Sequence, residues 1–244
     1  MNTLSRDQFD VAVAEWTNRC SDYKYIQNLI PTNYVFNFDT EQTDWMAAQN
    51  KYIEFCAEIG VHEGKLVAIL CPLDSRGQKL IVDKLPYSPL KALEGDLKLQ
   101  ETEQYMVIKN AVLSKDLQRI DYDSDTFFPV SNQPMLAQDV AVAAIESWRN
   151  DGMTWFYREC SEFKGSRIFR KFYVPAQDLT PTKAGLFRIV ASFGLKYSEI
   201  YQRVLPTLIF ISFYKELQEG NGSIQTITNT YDWSQPCPPM CPFN

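Results

Sequence analysis

The stretch Ile53 to Leu73, IEFCAEIGVHEGKLVAILCPL, decides the fold. Apolar residues recur at every second position through Ile53, Phe55, Ala57, Ile59 and Val61. His62-Glu63-Gly64-Lys65 then interrupts, and Leu66, Ala68 and Leu70 resume the alternation. A period of two on both sides of a Gly-containing break predicts a β-hairpin. With Glu63-Gly64 as a two-residue turn, Val61 faces Leu66, Ile59 faces Ala68, Ala57 faces Leu70 and Phe55 faces Pro72. This register gathers the large apolar residues of the first strand on one face, and a slip of one residue would undo it. It also sets Cys56 opposite Cys71 at a hydrogen-bonded pair, a geometry that suits a disulfide poorly, so both are expected as thiols.

Upstream, Ser5-Arg6-Asp7-Gln8 fits a capping box and predicts a helix with Phe9, Ala12, Val13, Trp16 and Cys20 along one stripe. Residues 23–38, broken by Pro31, predict a strand and an irregular return. Thr43 can cap a short helix over Asp44 to Asn50. Downstream, Asp74-Ser75-Arg76-Gly77 reads as a turn, and Ser88-Pro89 as a helix N-cap with proline at the first helical position. From Pro89 to Leu117 the pattern predicts helix in two pieces. Residues 119–134 are turn-rich and mark a boundary.

A further helix is expected from Pro134 to Asn150, carrying Leu136, Val140, Ala144 and Trp148. Met153 to Val174 predicts two extended segments turning at Lys164-Gly165. In the apolar run Gly185 to Tyr214, Phe187, Ile189, Ala191, Phe193 and Leu195 alternate, as do Thr207, Ile209, Ile211 and Phe213. With Pro206 opposing a continuous helix, this predicts a second hairpin joined through Lys196 to Arg203. The fold class expected is α+β: two related helix and antiparallel hairpin units, residues 1–83 and 134–244, with a helical insert and linker over 84–133, able to pack as one domain.

Composition narrows the function classes. A chain of 244 residues buries enough surface to fold without disulfides. Its fifteen Phe and thirteen Tyr favour packed sheets over a helical bundle. A net charge of -6 argues against nucleic acid or an anionic membrane as main partner. The N-terminus lacks a basic region followed by an apolar run, and no apolar stretch reaches the ~18 residues of a membrane helix. The expectation is a soluble, cytoplasmic protein. Six dispersed cysteines do not form a disulfide scaffold in a chain this long.

The predicted halves share an order of elements. VAVAEWTNR (Val11 to Arg19) resembles AVAAIESWRN (Ala141 to Asn150), QNLIP resembles KFYVP, and FCAEIG resembles VASFG. Trp16 and Trp148 stand at nearly the same offset as Gly60 and Gly194, while Pro31 and Pro175 need one insertion and one deletion to match. Divergent duplication accounts for this; so does chance likeness of two α+β units. Together with the tail YDWSQPCPPMC (Tyr231 to Cys241), this order resembles small bacterial proteins that end in Tyr-Asp-x-x-x-Pro-Cys-Pro-Pro-x-Cys. In that family the second hairpin strand ends in Val-Gly-x-Asp before a Gly turn, of which Cys71 to Gly77 keep Asp74 and Gly77. The resemblance implies an architecture and no reaction.

Four features could carry chemistry or binding. Cys237 and Cys241, on a proline-stiffened loop, could hold zinc or another soft metal or form a disulfide; a zinc site would need Cys20 or Cys160 in addition, or a second chain. The alternative is a structural tail. Asp121-Tyr122-Asp123-Ser124-Asp125 opens like an EF-hand loop, but Thr126 and Asn132 stand where Gly and Glu are needed, so an acidic turn is expected. His62, the one histidine, has no Ser or Cys beside it at the hairpin tip. Arg158, Lys164, Arg167, Arg170 and Lys171, interleaved with aromatics, would form a positive ribbon on the expected hairpin; the first expectation is a solvated face whose aromatics pack on the preceding helix, and as a binding surface it suits a protein partner or self-association more than RNA. The leading expectation is therefore a non-enzymatic interaction or structural module without a cofactor. A thiol or metal protein working through Cys237 and Cys241, or a hydrolase using carboxylates distant in sequence, are the alternatives.

Overall fold

The computed structural model describes residues 1–93, 106–113, 119–127, 138–180, 185–215, 225–231 and 234–241. In chain order the first half runs β1 (Thr3–Ser5), α1 (Arg6–Arg19), α2 (Tyr23–Leu29), β2 (Tyr34–Phe38), α3 (Thr40–Gln49), β3 (Glu54–His62), β4 (Lys65–Cys71), β5 (Lys84–Pro89) and β6 (Lys91–Ala92). Then come β7 (Met106–Leu113), β8 (Arg119–Phe127), α4 (Gln138–Phe163), β9 (Lys171–Pro175), β10 (Leu186–Ser198), β11 (Arg203–Lys215), β12 (Gln225–Tyr231) and β13 (Gln235–Cys237). The protein is α+β with antiparallel sheets.

The opening hairpin has the expected register: Val61 lies opposite Leu66, Ala57 opposite Leu70 and Cys56 opposite Cys71. Glu63 and Gly64 both take positive φ, the geometry of a tight primed turn whose twist matches its strands. The second hairpin is also present, with Phe193 opposite Leu208 and Ser198 opposite Arg203. Its two alternating sets point to opposite faces. Ile189, Ala191 and Phe193 join Leu208 and Phe210 in one core, while Ile209, Ile211 and Phe213 join Val190 in another.

The sheets run β1-β5-β4-β3-β9-β13 and β12-β11-β10-β2-β6, and β7 pairs with β8 alone. The first sheet thus takes four strands from the first half of the chain and two from the second, and the second sheet takes three from the second half and two from the first. Phe172 and Val174 of β9 lie opposite Ala57 and Phe55, as Phe36 and Phe38 of β2 lie opposite Ala191 and Ile189. The aromatic side chains of these crossing strands fill one shared core; Phe55 meets Phe210 edge-on at 6.2 Å and Phe36 meets Phe193 at 5.5 Å. Helix α1 covers the outer face of the first sheet and α4 that of the second. A Cβ on Gly60 would lie 3.0 Å from the Ala12 carbonyl carbon of α1, and one on Gly194 3.3 Å from the Ala144 Cβ of α4, so glycine marks where each helix rests on its sheet.

Several expectations are corrected. Residues 23–29 are helical because the Asp22 carboxylate caps the amide of Tyr25 at 3.2 Å; Pro31 then ends the helix and only β2 is extended. Asp39, in a capping box with Gln42, starts α3, not Thr43. The helical insert is absent from the described residues of 84–133, which form β5 to β8. Ser88 does not cap a helix: its hydroxyl accepts the Asn37 amide at 2.8 Å, and Pro89 lies opposite Val67. Val107, Ile108 and Val112 favour the extended backbone of β7. The acidic run Asp121 to Asp125 lies in β8, and Asn132 falls outside the described residues.

The hairpin expected over Met153 to Val174 is instead the second half of α4, and only β9 is extended. Ala141, Ala144, Trp148, Trp155, Phe156 and Glu159 are buried at helical spacing, which continues straight through Gly152. Glycine costs ~1 kcal/mol there relative to alanine. The Trp148 ring comes within 3.1 Å of where a Cβ on Gly152 would be, so the cost comes with close packing. Lys164 and Gly165 end the helix with positive φ, and the Gly165 amide returns to the Glu159 carbonyl at 2.9 Å.

Candidate functional site

The positive ribbon dissolves with its hairpin. Arg158 sits on exposed α4 beside Glu162 at 3.2 Å. Arg167 grips the buried Glu159 with two hydrogen bonds, 2.8 and 2.7 Å, and stacks on Phe163. This pairing holds its guanidinium above the usual range. Arg170 donates to the Ile168 carbonyl, Lys171 lies over Tyr173, and Lys164 projects from the exposed helix end. Of the interleaved aromatics, Phe156, Phe169 and Phe172 are wholly buried, while Tyr157 is exposed.

Cys237 and Cys241 form a disulfide. Cys237 is buried against Cys56 and Tyr173, whereas Cys20 belongs to the other core, with Cys160 donating to its carbonyl at 3.9 Å. The four cysteines considered for zinc are thus not brought to one place, and among the described residues no group of three His, Cys, Asp or Glu could hold a metal ion. Cys20, Cys56, Cys71 and Cys160 are free thiols. Burial pushes Cys71 up to about 12 and Cys160 to about 11, and raises Cys20 and Cys56, so none has thiolate character near neutral pH. His62 packs edge-on against Tyr87 at 5.4 Å. The buried Glu58 pairs with Lys79 on the outer face of the first sheet and receives a weak contact from the Cys56 thiol at 3.7 Å.

What the structure does gather lies at the tip of the second hairpin. Tyr197, Ile200, Tyr201 and Val204 are exposed within eight residues, Ile200 by 84%. On one side a cavity of about 410 Å³ opens between the tip and α4, lined by Trp155, Leu195, Tyr197, Val204, Asp151 and Arg158 among others. On the other a cleft of about 190 Å³ lies between Lys196, Leu205 and Thr207 and the tail residues Ser234, Pro236 and Met240. A pocket of about 430 Å³ between Ile200, Tyr201 and Cys241 shares Gln235 and Met240 with that cleft. The tail is fixed in place from both sheets: β13 pairs with β9, and the Ser234 hydroxyl bonds the amide and the carbonyl of Leu208 at 2.6 and 2.9 Å.

The same contacts close the strand edge. The described pairing of β11 with β12 begins at Phe210, which leaves Arg203 to Ile209 at an edge. The Trp155 indole donates to the Val204 carbonyl at 3.2 Å, Pro206 has no N–H, and Ser234 occupies both groups of Leu208. Such an edge does not template another strand, so whatever meets this tip meets side chains.

Arg203 stands at the base of the tip. Its Nε is buried with no acceptor, and no carboxylate pairs with it among the described residues. Burial and the neighbouring Arg167 push the guanidinium below its usual range, against the opposing pull of Glu159. Two guanidiniums therefore stand near one carboxylate. Sequence reading took Lys196 to Arg203 for a connector; the available signal was a hairpin loop holding Tyr197, Ile200 and Tyr201 where polar turn residues are usual. No family model, no curated protein and no solved structure matches the chain.

Proposed function

We propose that the protein is a non-enzymatic interaction module that presents the Lys196 to Arg203 tip and its flanking clefts to a protein partner. One observation carries this reading: exposed apolar side chains concentrate on a tip whose strand edge is occupied in part by Trp155 and Ser234. Apolar surface kept in water costs solubility unless something covers it part of the time. The carboxylate-hydrolase alternative would need two acids in one cavity, and the clefts beside the tip bring in Asp151 alone. Among the described residues the buried glutamates are Glu58 and Glu159, and each is held by a cation away from these clefts. The metal alternative would require the Cys237–Cys241 bond to be reduced first. A cytoplasmic setting belongs to the same proposal, supported by four free thiols, as does the likeness of the tail to small bacterial proteins.

The proposal also takes the two halves as a duplicated unit that exchanged one strand, β2 for β9. Support comes from the matched strand orders and from the contacts of Gly60 with Ala12 and of Gly194 with Ala144. On this reading the second copy kept the scaffold and lengthened its hairpin. A photo-crosslinking residue at position 200, compared with one at the exposed Val11 on α1, tests the interaction role in extracts of cells that make the protein. A discrete adduct from position 200 alone is expected. No adduct there, or the same adducts from both positions, would remove the reading.

A further inference from the structure

The tail beside the tip is closed by a bond that can be opened, and its consequence for the tip rests on the interaction reading above. Up to Cys237 the tail is held by the first sheet. Gln235 to Cys237 lie opposite Tyr173 to Lys171, and the Cys237 carbonyl accepts the Arg170 amide at 2.8 Å. Beyond Cys237, among the described residues, two ties remain: the Met240 amide donates to the Pro236 carbonyl at 2.8 Å, and Cys241 is bonded to Cys237. Met240 lines the cleft against Lys196 and Leu205, and Met240 and Cys241 line the pocket against Ile200 and Tyr201. The disulfide therefore fixes one wall of both.

The two sulfurs differ in their surroundings. Cys241 is exposed and borders an open pocket, so an outside thiol can reach it. Cys237 is buried beside Cys56, Cys71 and Tyr173. Attack on Cys241 expels this buried sulfur as a thiolate, and a cation stands next to it: Lys171 is the residue opposite Cys237 on β9 and shares its face of the sheet. A neighbouring ammonium favours the thiolate form of a leaving sulfur. Glu58, next along the same row, is held by Lys79. The protein's own thiols are unsuited to the attack, because Cys20, Cys56 and Cys71 are buried, Cys160 is partly so, and burial keeps all four protonated near neutral pH. The reductant comes from outside. In the cytoplasmic setting proposed above, disulfides are usually transient.

We propose that the Cys237–Cys241 bond is a redox catch, opened at Cys241 by a dithiol reductant, that controls whether the tail completes the cleft beside the β10–β11 tip. A thiolate of the dithiol attacks the Cys241 sulfur and forms a mixed disulfide with it; the Cys237–Cys241 bond breaks, and Cys237 leaves as a thiolate and takes up a proton. The second thiol of the reductant, deprotonated, then displaces Cys241, which is protonated in its turn. The dithiol is oxidised to a disulfide and the protein disulfide is reduced to two thiols, so electrons and protons balance. β13 stays on β9 through its backbone pairs. Met240 and Cys241 keep only the Met240 amide bond, and the wall loosens. The oxidised form is the one that holds the partner.

The test treats the full-length folded protein with dithiothreitol, quenches with acid, then unfolds and alkylates it and locates the modified cysteines by peptide mass. Before dithiol is added, Cys20, Cys56, Cys71 and Cys160 alone should be modified. Afterwards Cys237 and Cys241 should be modified as well, without denaturant and at a rate proportional to the dithiol concentration. Reduction that needs urea, or that runs at the unfolding rate whatever the dithiol concentration, makes the bond a structural bridge and overturns the proposal. Modification of Cys237 and Cys241 before any dithiol overturns it too. Cys241→Ser then fixes the open form without touching the buried Cys237 or the redox state of an extract. Carrying the position-200 crosslinker, it should give about threefold less of the discrete adduct, because a loosened wall must be ordered on binding. An undiminished adduct overturns the control of the cleft. Its melting temperature should fall by only about 5 °C, since the bond closes a short loop, which separates a lost wall from a lost fold. A variant that does not fold makes the bond a support of the fold and overturns the proposal. If the parent gives no adduct at position 200, the interaction reading fails, and the dithiol rate still decides whether the bond opens in the folded protein.

Discussion

The two hairpins share a plan and differ in what they do with it. Each carries a central glycine under a helical alanine and each accepts a strand from the other half of the chain. The first ends in the polar turn His62-Glu63-Gly64-Lys65 and buries both faces of β3, including the charged Glu58. The second continues past its glycine to an exposed apolar tip, and at the place matching Glu58 it has Ser192, whose hydroxyl donates to the Phe193 carbonyl at 3.1 Å. One hairpin spends its residues on the scaffold. The other uses the scaffold to hold up a surface.

The largest expected contrast is at this matched pair. Removing the carboxylate in Glu58→Ala leaves Lys79 without its anion and should cost about 3 kcal/mol, the low end for a broken buried pair because Lys79 is partly exposed. Ser192→Ala should cost about 1 kcal/mol, the net worth of one neutral hydrogen bond. Urea unfolding of both variants checks the ratio; equal losses would show that the buried charge adds nothing particular to the first hairpin.

Next come the two glycines. The Cβ added by Gly60→Ala meets the backbone carbon and oxygen of Ala12 at 3.0 and 3.1 Å, so α1 itself must move, at a cost of about 2 kcal/mol. For Gly194→Ala the nearest atom is the end of the Ile209 side chain, which can turn aside, and about 1 kcal/mol is expected. Denaturant midpoints measure both. A larger loss at Gly194 would reverse the order of rigidity inferred for the two helix seats.

Alkaline pH separates the hairpins by their thiols, which only the first possesses. Burial raises Cys71 from 9.0 to about 12, so above 9.0 the unfolded chain gives up a proton that the folded one keeps. The stabilisation is full below 9.0 and is lost as the pH climbs toward about 12. Melting temperatures of the wild type should fall over that window more steeply than those of Cys71→Ala, and parallel curves would exclude the thiol as the cause.

These contrasts also explain what sequence reading could reach. The first hairpin was legible because alternation, turn and register are local properties, and all three agreed between Ile53 and Leu73. The α+β class followed from it. Ser88-Pro89 carries the local signature of a helix start, yet the Ser88 hydroxyl goes to Asn37, a partner remote in sequence. Asn150-Asp151-Gly152 looks like a helix end, and only the Trp148 ring packed on Gly152 shows why α4 runs through it. The basic residues were read correctly as a cluster along the chain, but placing them on a hairpin gave them the wrong neighbours. The tip escaped notice because its meaning depends on the tail, which lies beyond it in sequence and is brought alongside by β13.

The smallest expected effect is the most telling one for function. Gly64→Ala, in the first hairpin's turn at φ +71°, should cost about 1 kcal/mol, because a Cβ strains a left-handed backbone even with open space around it. Ile200→Ser, in the second hairpin's turn, should change stability by less than about 0.5 kcal/mol, since the side chain is almost fully in water. A scaffold residue reveals itself by the stability it loses, and a recognition residue by the stability it does not lose while partner crosslinking falls. If Ile200→Ser unfolded the protein as Gly64→Ala does, the tip would be part of the core's support, and the division between a hairpin that builds and a hairpin that presents would fail.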